Sequence, residues 1–319
     1  MGKSTSYAGK TVLITGSARG IGWESAKRLH AGGAKVSLVG LEPDLLAERV
    51  QSLGAERAAW FEADVTSVEQ LQAAVDGTVA KFGGIDVAIA NAGVHYVGSF
   101  NNAPLAQIER ELEINLFGVV RTDKVVLPHL VKSGGYLLNI ASLAAATHAP
   151  LMSAYASSKA GVEALTNAIR VEMVPQGVGV GCAYFGFIDT DMVRDAFSDE
   201  STKTLEKLMP GFIRKTVTVD HAVDAIERAI LNRSDRTWAP RYVGGVLAGR
   251  GIAQPLSEKR MLAAKGRLLK AIGQADESVV RDRAAEATAA SKAAKAGGAK
   301  TGAAKSSAAQ KSEKAGAAK

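Results

Sequence analysis

TVLITGSARGIG, from Thr11 to Gly22, is the stretch whose reading decides the fold. Thr11–Thr15 shows no polar alternation, which predicts a strand buried on both faces. It runs without a linker into Gly16, Gly20 and Gly22 and an amphipathic run over 21–31. Glycines so placed let the backbone turn sharply and approach a pyrophosphate. The helix beyond offers free N–H groups and the positive end of its dipole. The spacing is G-x-x-x-G-x-G, not the G-x-G-x-x-G of the commonest dinucleotide fingerprint.

Working outward, short apolar runs alternate with longer amphipathic ones. Strands are predicted at Thr11–Thr15, Lys35–Val39, Ala58–Glu62, Asp86–Ala90, Gly135–Ala141, Gly179–Tyr184 and, more weakly, Thr237–Val243. Helices are predicted near 21–31, 43–53, 67–82, 104–130, 153–174 and 220–232. A βαβ succession of this kind needs right-handed crossovers, giving a parallel sheet covered by helices on both faces. The fold class is therefore α/β, one doubly wound (Rossmann-type) domain over 8–243, preceded by a short arm, 1–7. An extension, 244–283, begins glycine-rich at Gly244–Gly251 and carries a basic amphipathic helix over 258–272. Its apolar members are Met261, Leu262, Leu268, Leu269 and Ile272. From 284 to 319 the composition collapses to Ala, Lys, Gly and Ser, which cannot bury enough surface to offset chain entropy, so disorder is expected.

The formal charge is +7 over 319 residues, but Ala287–Lys319 holds seven lysines and one acid, a net of +6. The body is thus close to neutral, which argues against a folded nucleic-acid-binding domain. The dispersed tail lysines, without interleaved aromatics, offer at most salt-sensitive, non-specific attraction to a polyanion. Cys182 is the single cysteine, so neither a disulfide framework nor a Cys-rich zinc site exists, and no metal is expected. The start, MGKSTSYAGK, has no apolar stretch, and no run reaches the length of a membrane span. Gly2 and Ser6 fit only the minimal myristoylation pattern. A cytoplasmic protein of a reducing compartment is expected. The helix at 258–272 either docks on its own subunit or lies weakly on an anionic membrane surface, and docking is the favoured reading.

Four motifs stand in order along the body: Thr15-Gly-x-x-x-Gly-x-Gly, Asn91-Ala92-Gly93, Asn115, and Ser142 followed by Tyr155-x-x-x-Lys159. Together they resemble the short-chain dehydrogenase/reductase family over about residues 8–243. Tyr155 and Lys159 lie four apart, on one face of a predicted helix. Interconverting an alcohol and a carbonyl needs a group that moves a proton at the substrate oxygen while hydride moves at carbon. A phenol, with a pKa near ~10, is too weak an acid for this near neutrality unless an ammonium such as Lys159 stabilises its anion.

The resemblance implies NAD(P)-dependent oxidoreduction of a hydroxyl or carbonyl, with Tyr155 as general acid/base and Ser142 polarising the substrate oxygen. It implies that Lys159 also binds the nicotinamide ribose and that Asn115 keeps a water in the proton relay. The cofactor set it carries over is Gly16, Ser17, Arg19, Gly20, Ile21, Gly22, Asp64, Val65, Asn91, Ala92, Gly93, Tyr155, Lys159, Gly186, Ile188 and Thr190. A homodimer or homotetramer built on the long helices carrying Asn115 and Tyr155 is implied as well.

Two departures matter. Where the family usually has Pro-Gly, this chain has Phe185-Gly186, an aromatic wall beside the nicotinamide. At the end of the second strand Gly40 and Leu41 replace the family's usual NAD- or NADP-selecting residues. Glu42 is offered as the ribose acceptor and would repel a 2′-phosphate, whereas Arg19 could bind one. NAD or NADP both stay open, with NAD favoured.

A substrate lid is expected over about 190–219, with Met192, Val193, Phe197, Leu205, Leu208, Met209, Phe212 and Ile213. With Ser142, Phe185, Phe187 and Met192 as substrate contacts, a bulky apolar alcohol or ketone of lipid, sterol or terpenoid type is expected. His148 is read as a hydrogen-bonded loop residue and Asp86 as a structural cap. The competing functions are a nucleotide-binding sensor without catalysis and a polyanion-binding protein working through its tail. The intact Asn115, Ser142, Tyr155 and Lys159 set argues against the first.

Overall fold

The computed structural model describes residues 6–211 and 213–281. The expected tail 284–319, most of the arm and Phe212 lie outside the described residues. Seven parallel strands form one sheet in the order β3-β2-β1-β4-β5-β6-β7. They are β1 Thr11–Thr15, β2 Lys35–Gly40, β3 Ala58–Glu62, β4 Val87–Ala90, β5 Tyr136–Ile140, β6 Gly179–Phe185 and β7 Arg236–Ala239. β1, β4, β5 and β6 are buried along their whole length, as apolar runs without alternation require in a sheet covered on both faces.

Helices α1 (Gly20–Ala31), α2 (Pro43–Leu53) and α3 (Val68–Phe82) follow β1, β2 and β3. Their ends are set locally: Ser67 caps α3 by accepting from the Gln70 N–H, and Gly83 closes it with φ 91°. On one face of the sheet Leu38, Ile89 and Leu138 pack with Ile226 of helix α9 (Val219–Asn232). On the other, Leu13, Val39, Leu71, Val126 and Leu137 do the same. Strand order reverses between β1 and β4, and in such sheets ligands bind at the carboxyl ends of the strands around that point.

Three expected boundaries change. The single helix over 104–130 is two, α4 (Leu105–Leu112) and α5 (Gly118–Ser133), joined by a π-helical turn over Glu113–Phe117 that contains Asn115. The last strand ends at Ala239, and Tyr242 already belongs to helix α10 (Tyr242–Ala248). The basic helix does not run over 258–272: α11 spans Arg250–Ala263, and a further helical run covers 265–281 after a break at Ala264. The break resets the helical phase and divides the apolar residues expected to share one face. Met261 is buried, while Leu268 and Ile272 pack with Leu151, Leu205 and Leu208. Leu262 and Leu269 face outward.

The extension is docked on its own body. Ala271 and Ala275 are fully buried, and Ser99 bonds Asp276. Thr204 Oγ1 donates to Gln274 Oε1 at 2.8 Å. Arg250 forks onto the buried Glu163 of helix α6 (Ser153–Met173), with Nη1 and Nη2 donating at 2.8 and 2.9 Å. Tyr7 is likewise packed into the core, its hydroxyl bonded to Glu227. No helix among the described residues is long and apolar enough to cross a membrane.

Candidate active site

The glycine turn after β1 has the backbone its sequence calls for, with Gly16 at φ 63° and Gly20 at φ 55°. A Cβ on Gly16 would stand 2.7 Å from Ala92 Cα, and one on Gly22 would stand 2.4 Å from Gly16 O. Only glycine permits this closeness. Asn91, just past β4, fastens the turn, its Nδ2 donating to Thr15 O and Gly16 O at 3.0 Å each. The Asn91 and Ala92 N–H groups donate to Thr15 Oγ1. α1 starts without a capping side chain. Its first-turn N–H groups are therefore left for an anion, as a dinucleotide pyrophosphate requires. Across the cleft Thr190 faces Gly20, with its Cγ2 3.6 Å from where a Cβ would be.

Several predicted cofactor residues have their side chains engaged within the fold. The Ser17 hydroxyl is fully buried and engaged with β2, accepting from Val39 N–H at 2.9 Å. Ile21 and Ile188 pack into the core, and Val65 is buried beneath Gly118. Asp64 Oδ1 accepts the Thr66 N–H. Gly186 lies under the Tyr242 hydroxyl, leaving no room for a Cβ. Arg19 and Glu42, read as competing signals, pair with each other at 2.7 Å.

The Asn115, Ser142, Tyr155 and Lys159 set converges at the ends of β4 and β5. Asn115 is fully buried and holds the Val94 peptide both ways, Oδ1 accepting from N–H and Nδ2 donating to C=O, each at 2.8 Å. Gly93 lies between Asn115 and Lys159: a Cβ there would be 3.1 Å from Asn115 Oδ1 and 3.6 Å from Lys159 Nζ. Ser142 accepts from the Ala144 N–H at 3.1 Å and donates to Phe185 O at 3.3 Å. Lys159 Nζ donates to Ile140 O at 2.9 Å and stands 5.7 Å from the centre of the Tyr155 ring.

Burial pushes the Tyr155 phenol above its ordinary value; the Ser142 hydroxyl opposes this and the Glu111 carboxylate adds to it. Burial also lowers the Lys159 ammonium to about 8. Both effects are desolvation of a charged form. Lys159 thus keeps its charge at neutral pH while the phenol keeps its proton.

A cavity of about 460 Å³ opens beside Ser142 and Tyr155. Phe185, Phe187 and Met192 line it, as do Leu205 and Met209 from the lid region. That region forms helices α7 (Asp191–Ser198) and α8 (Glu200–Glu206). Phe187 and Phe197 meet edge to face at 4.9 Å. His148 is also on the wall, its N–H donating to Gln254 Oε1 at 2.7 Å. Asp86 is a structural tie, accepting from Lys10 Nζ and the Thr11 N–H at 2.8 and 2.9 Å.

Sequence reasoning missed two contributors. One is α11, which puts Ala253, Leu256, Arg260 and Met261 on the cavity wall. The other is His95, whose ring packs 4.7 Å from Tyr155. Its partner Glu111 carried a readable signal, lying one turn before Asn115.

A glycine turn at the strand ends, a buried Ser-Tyr-Lys set beside it and an adjoining apolar cavity define a dinucleotide-dependent oxidoreductase. Comparison with known proteins agrees. The short chain dehydrogenase family matches over residues 10–201, and the chain belongs to that family, whose members act on hydroxyl groups with NAD(P). It is 34% identical over 197 residues to a trans-4-hydroxycyclohexanecarboxylate dehydrogenase of Sinomonas cyclohexanicum, covering 59% of this chain and 76% of that one. It is 32% identical over 188 residues to a 3-alpha-(or 20-beta)-hydroxysteroid dehydrogenase of Mycobacterium bovis, covering 58% and 71%. Among solved structures, a short-chain type dehydrogenase/reductase from Mycobacterium marinum superposes with a TM-score of 0.65 at 26% identity, covering 72% of this chain and 91% of the other.

Proposed function

We propose that this enzyme interconverts a bulky, largely apolar secondary alcohol and its ketone, with Tyr155 as general acid/base. The observation that carries the reading is the cavity of about 460 Å³, apolar over most of its wall yet lined also by Ser142 and Tyr155. The nicotinamide cofactor supplies or takes the hydride. In the reducing direction Ser142 holds the carbonyl oxygen and Tyr155 gives it the phenol proton. In the oxidising direction Tyr155 takes the proton back. Lys159, charged below about pH 8, stabilises the phenolate that forms in the first case and must pre-exist in the second.

When the dinucleotide is bound, the Gly16–Gly22 turn with Asn91 and Gly93 would hold its pyrophosphate side, Asp64 and Val65 its adenine side, and Thr190 its carboxamide side. Pairing of Arg19 with Glu42 at 2.7 Å supports NAD over NADP, because the guanidinium that could take a 2′-phosphate is already neutralised. Exposed Phe117 and Val120, on the helical stretch after Asn115, support assembly into a homo-oligomer. The buried Cys182 thiol, pushed up to about 11, suits a reducing, cytoplasmic setting without a catalytic role.

The test is a spectrophotometric screen of alicyclic, steroid and fatty alcohols and ketones with NAD and NADP. Wild type is expected to turn over members of the panel, and Tyr155→Phe to lose at least ~1000-fold in kcat while still binding cofactor. Undiminished turnover in Tyr155→Phe refutes the assignment.

A further inference from the structure

One buried polar pair, of which the histidine lines the cavity, is not used by the reaction just described. His95 lies two residues beyond Gly93, and its ring is tilted 56° against that of Tyr155 at 4.7 Å. Its Nδ1 is 3.2 Å from Glu111 Oε1, and the two side chains are only 10% and 3% exposed. Glu111 Oε1 also accepts the Tyr96 N–H at 3.2 Å. An oxygen that accepts from a backbone amide acts as acceptor toward the ring as well. Nδ1 therefore carries hydrogen, and in the neutral imidazole Nε2 carries the lone pair. Nε2 makes no hydrogen bond among the described residues, and His95 lines the same cavity as Ser142 and Tyr155. Nε2 is not sealed inside the protein but open to the cavity, so a ligand hydroxyl that reaches it takes the place of cavity water while the ring stays fixed by Glu111.

We propose that His95, oriented by Glu111, is a second polar anchor for the substrate, its Nε2 accepting a hydrogen bond from a hydroxyl other than the one that reacts. The inference rests on the reaction proposed above and narrows its substrate class to an apolar alcohol or ketone bearing an additional hydroxyl. A carboxylate at this place is disfavoured, because the negative charge of Glu111 stands directly behind the ring. His95 determines specificity by touching substrate. Glu111 is a positioning residue that acts through the His95 tautomer.

Calorimetric titration of the full chain with regioisomers of decalindiol, each compared with decalinol, tests this. At least one diol is expected to bind wild type about 10-fold more tightly than decalinol, the worth of one well-formed hydrogen bond. His95→Phe keeps a ring against Tyr155 and should bring that ratio to within about twofold. Glu111→Leu should lower the ratio too, rather than both affinities together. Absence of any preferred diol in wild type, or a preference that survives His95→Phe, overturns the proposal. Cofactor-linked turnover of the same compounds reads the reaction separately, so a diol preference without turnover counts against the bulky-alcohol reading and not the anchor.

Discussion

Cutting the Arg250–Glu163 fork should separate the cavity wall formed by α11 from α6, the helix that carries Tyr155 and Lys159. Nη1 donates to Glu163 Oε2 at 2.8 Å and Nη2 to Oε1 at 2.9 Å, the parallel arrangement that makes such pairs strong. Glu163 is 7% exposed by side chain and Arg250 42%, so one end is in protein and the other half in water. A fully exposed pair contributes about 0.2–1 kcal/mol, and orphaning one charge of a fully buried pair costs about 3–5 kcal/mol. Arg250→Met leaves the Glu163 carboxylate buried without its cation, and the half-exposed position of Arg250 places the cost at about 2–3 kcal/mol. Removing the carboxylate as well removes the orphan. The Glu163→Met/Arg250→Met double variant should therefore be more stable than Arg250→Met alone, and urea unfolding of the four proteins measures the difference. Because α11 carries Leu256, Arg260 and Met261 on the cavity wall, Arg250→Met should also raise KM for an apolar substrate more than it lowers kcat. A double variant no more stable than the single would refute the reasoning, since the carboxylate would then not depend on Arg250.

Two further outcomes follow from other sites. Gly22→Ala drives a methyl to 2.4 Å from Gly16 O and 2.7 Å from Asn91 Nδ2, an overpacking that should cost about 1–3 kcal/mol and weaken NADH binding at least ~30-fold; fluorescence titration showing unchanged affinity would contradict this. Asp123 is buried against Asn139, and burial raises its carboxyl to about 8. The folded chain therefore holds a proton that the unfolded chain sheds above about pH 4, so this group costs stability progressively as pH rises from ~4 to about 8. Asp123→Asn should gain several degrees in Tm over wild type between pH 5 and pH 9, and a Tm difference constant across that range would count against it.

How much was readable depended on whether the signal lay within one segment. The apolar run Thr11–Thr15 and the glycines after it are local facts, and β1 and the turn follow them residue for residue. Ser142, Tyr155 and Lys159 were legible through their resemblance to a family motif, which a strand end and one helix face then carry in this structure. The continuous helix expected over 104–130 failed at Glu113–Phe117, where a π-turn inserts Asn115 between β4 and α6. Periodicity does not register a single extra residue of this kind, although such turns are frequent at functional sites. The extension was misread for a similar reason: its composition shows a basic amphipathic helix, but the break at Ala264 changes which side faces the body.

By itself the sequence determined the parallel sheet and the nucleotide turn, because each is written in short-range period and spacing, whereas Ser142, Tyr155 and Lys159 were singled out by their resemblance to a family motif. Only the tertiary structure decided that Arg19 and Glu42 neutralise each other across 23 positions. It alone brought Arg250 to Glu163 across 87 positions and set His95 on the Tyr155 ring. Contacts of that separation depend on how the crossovers stack helices over the strand ends, a property of the whole topology rather than of any one segment.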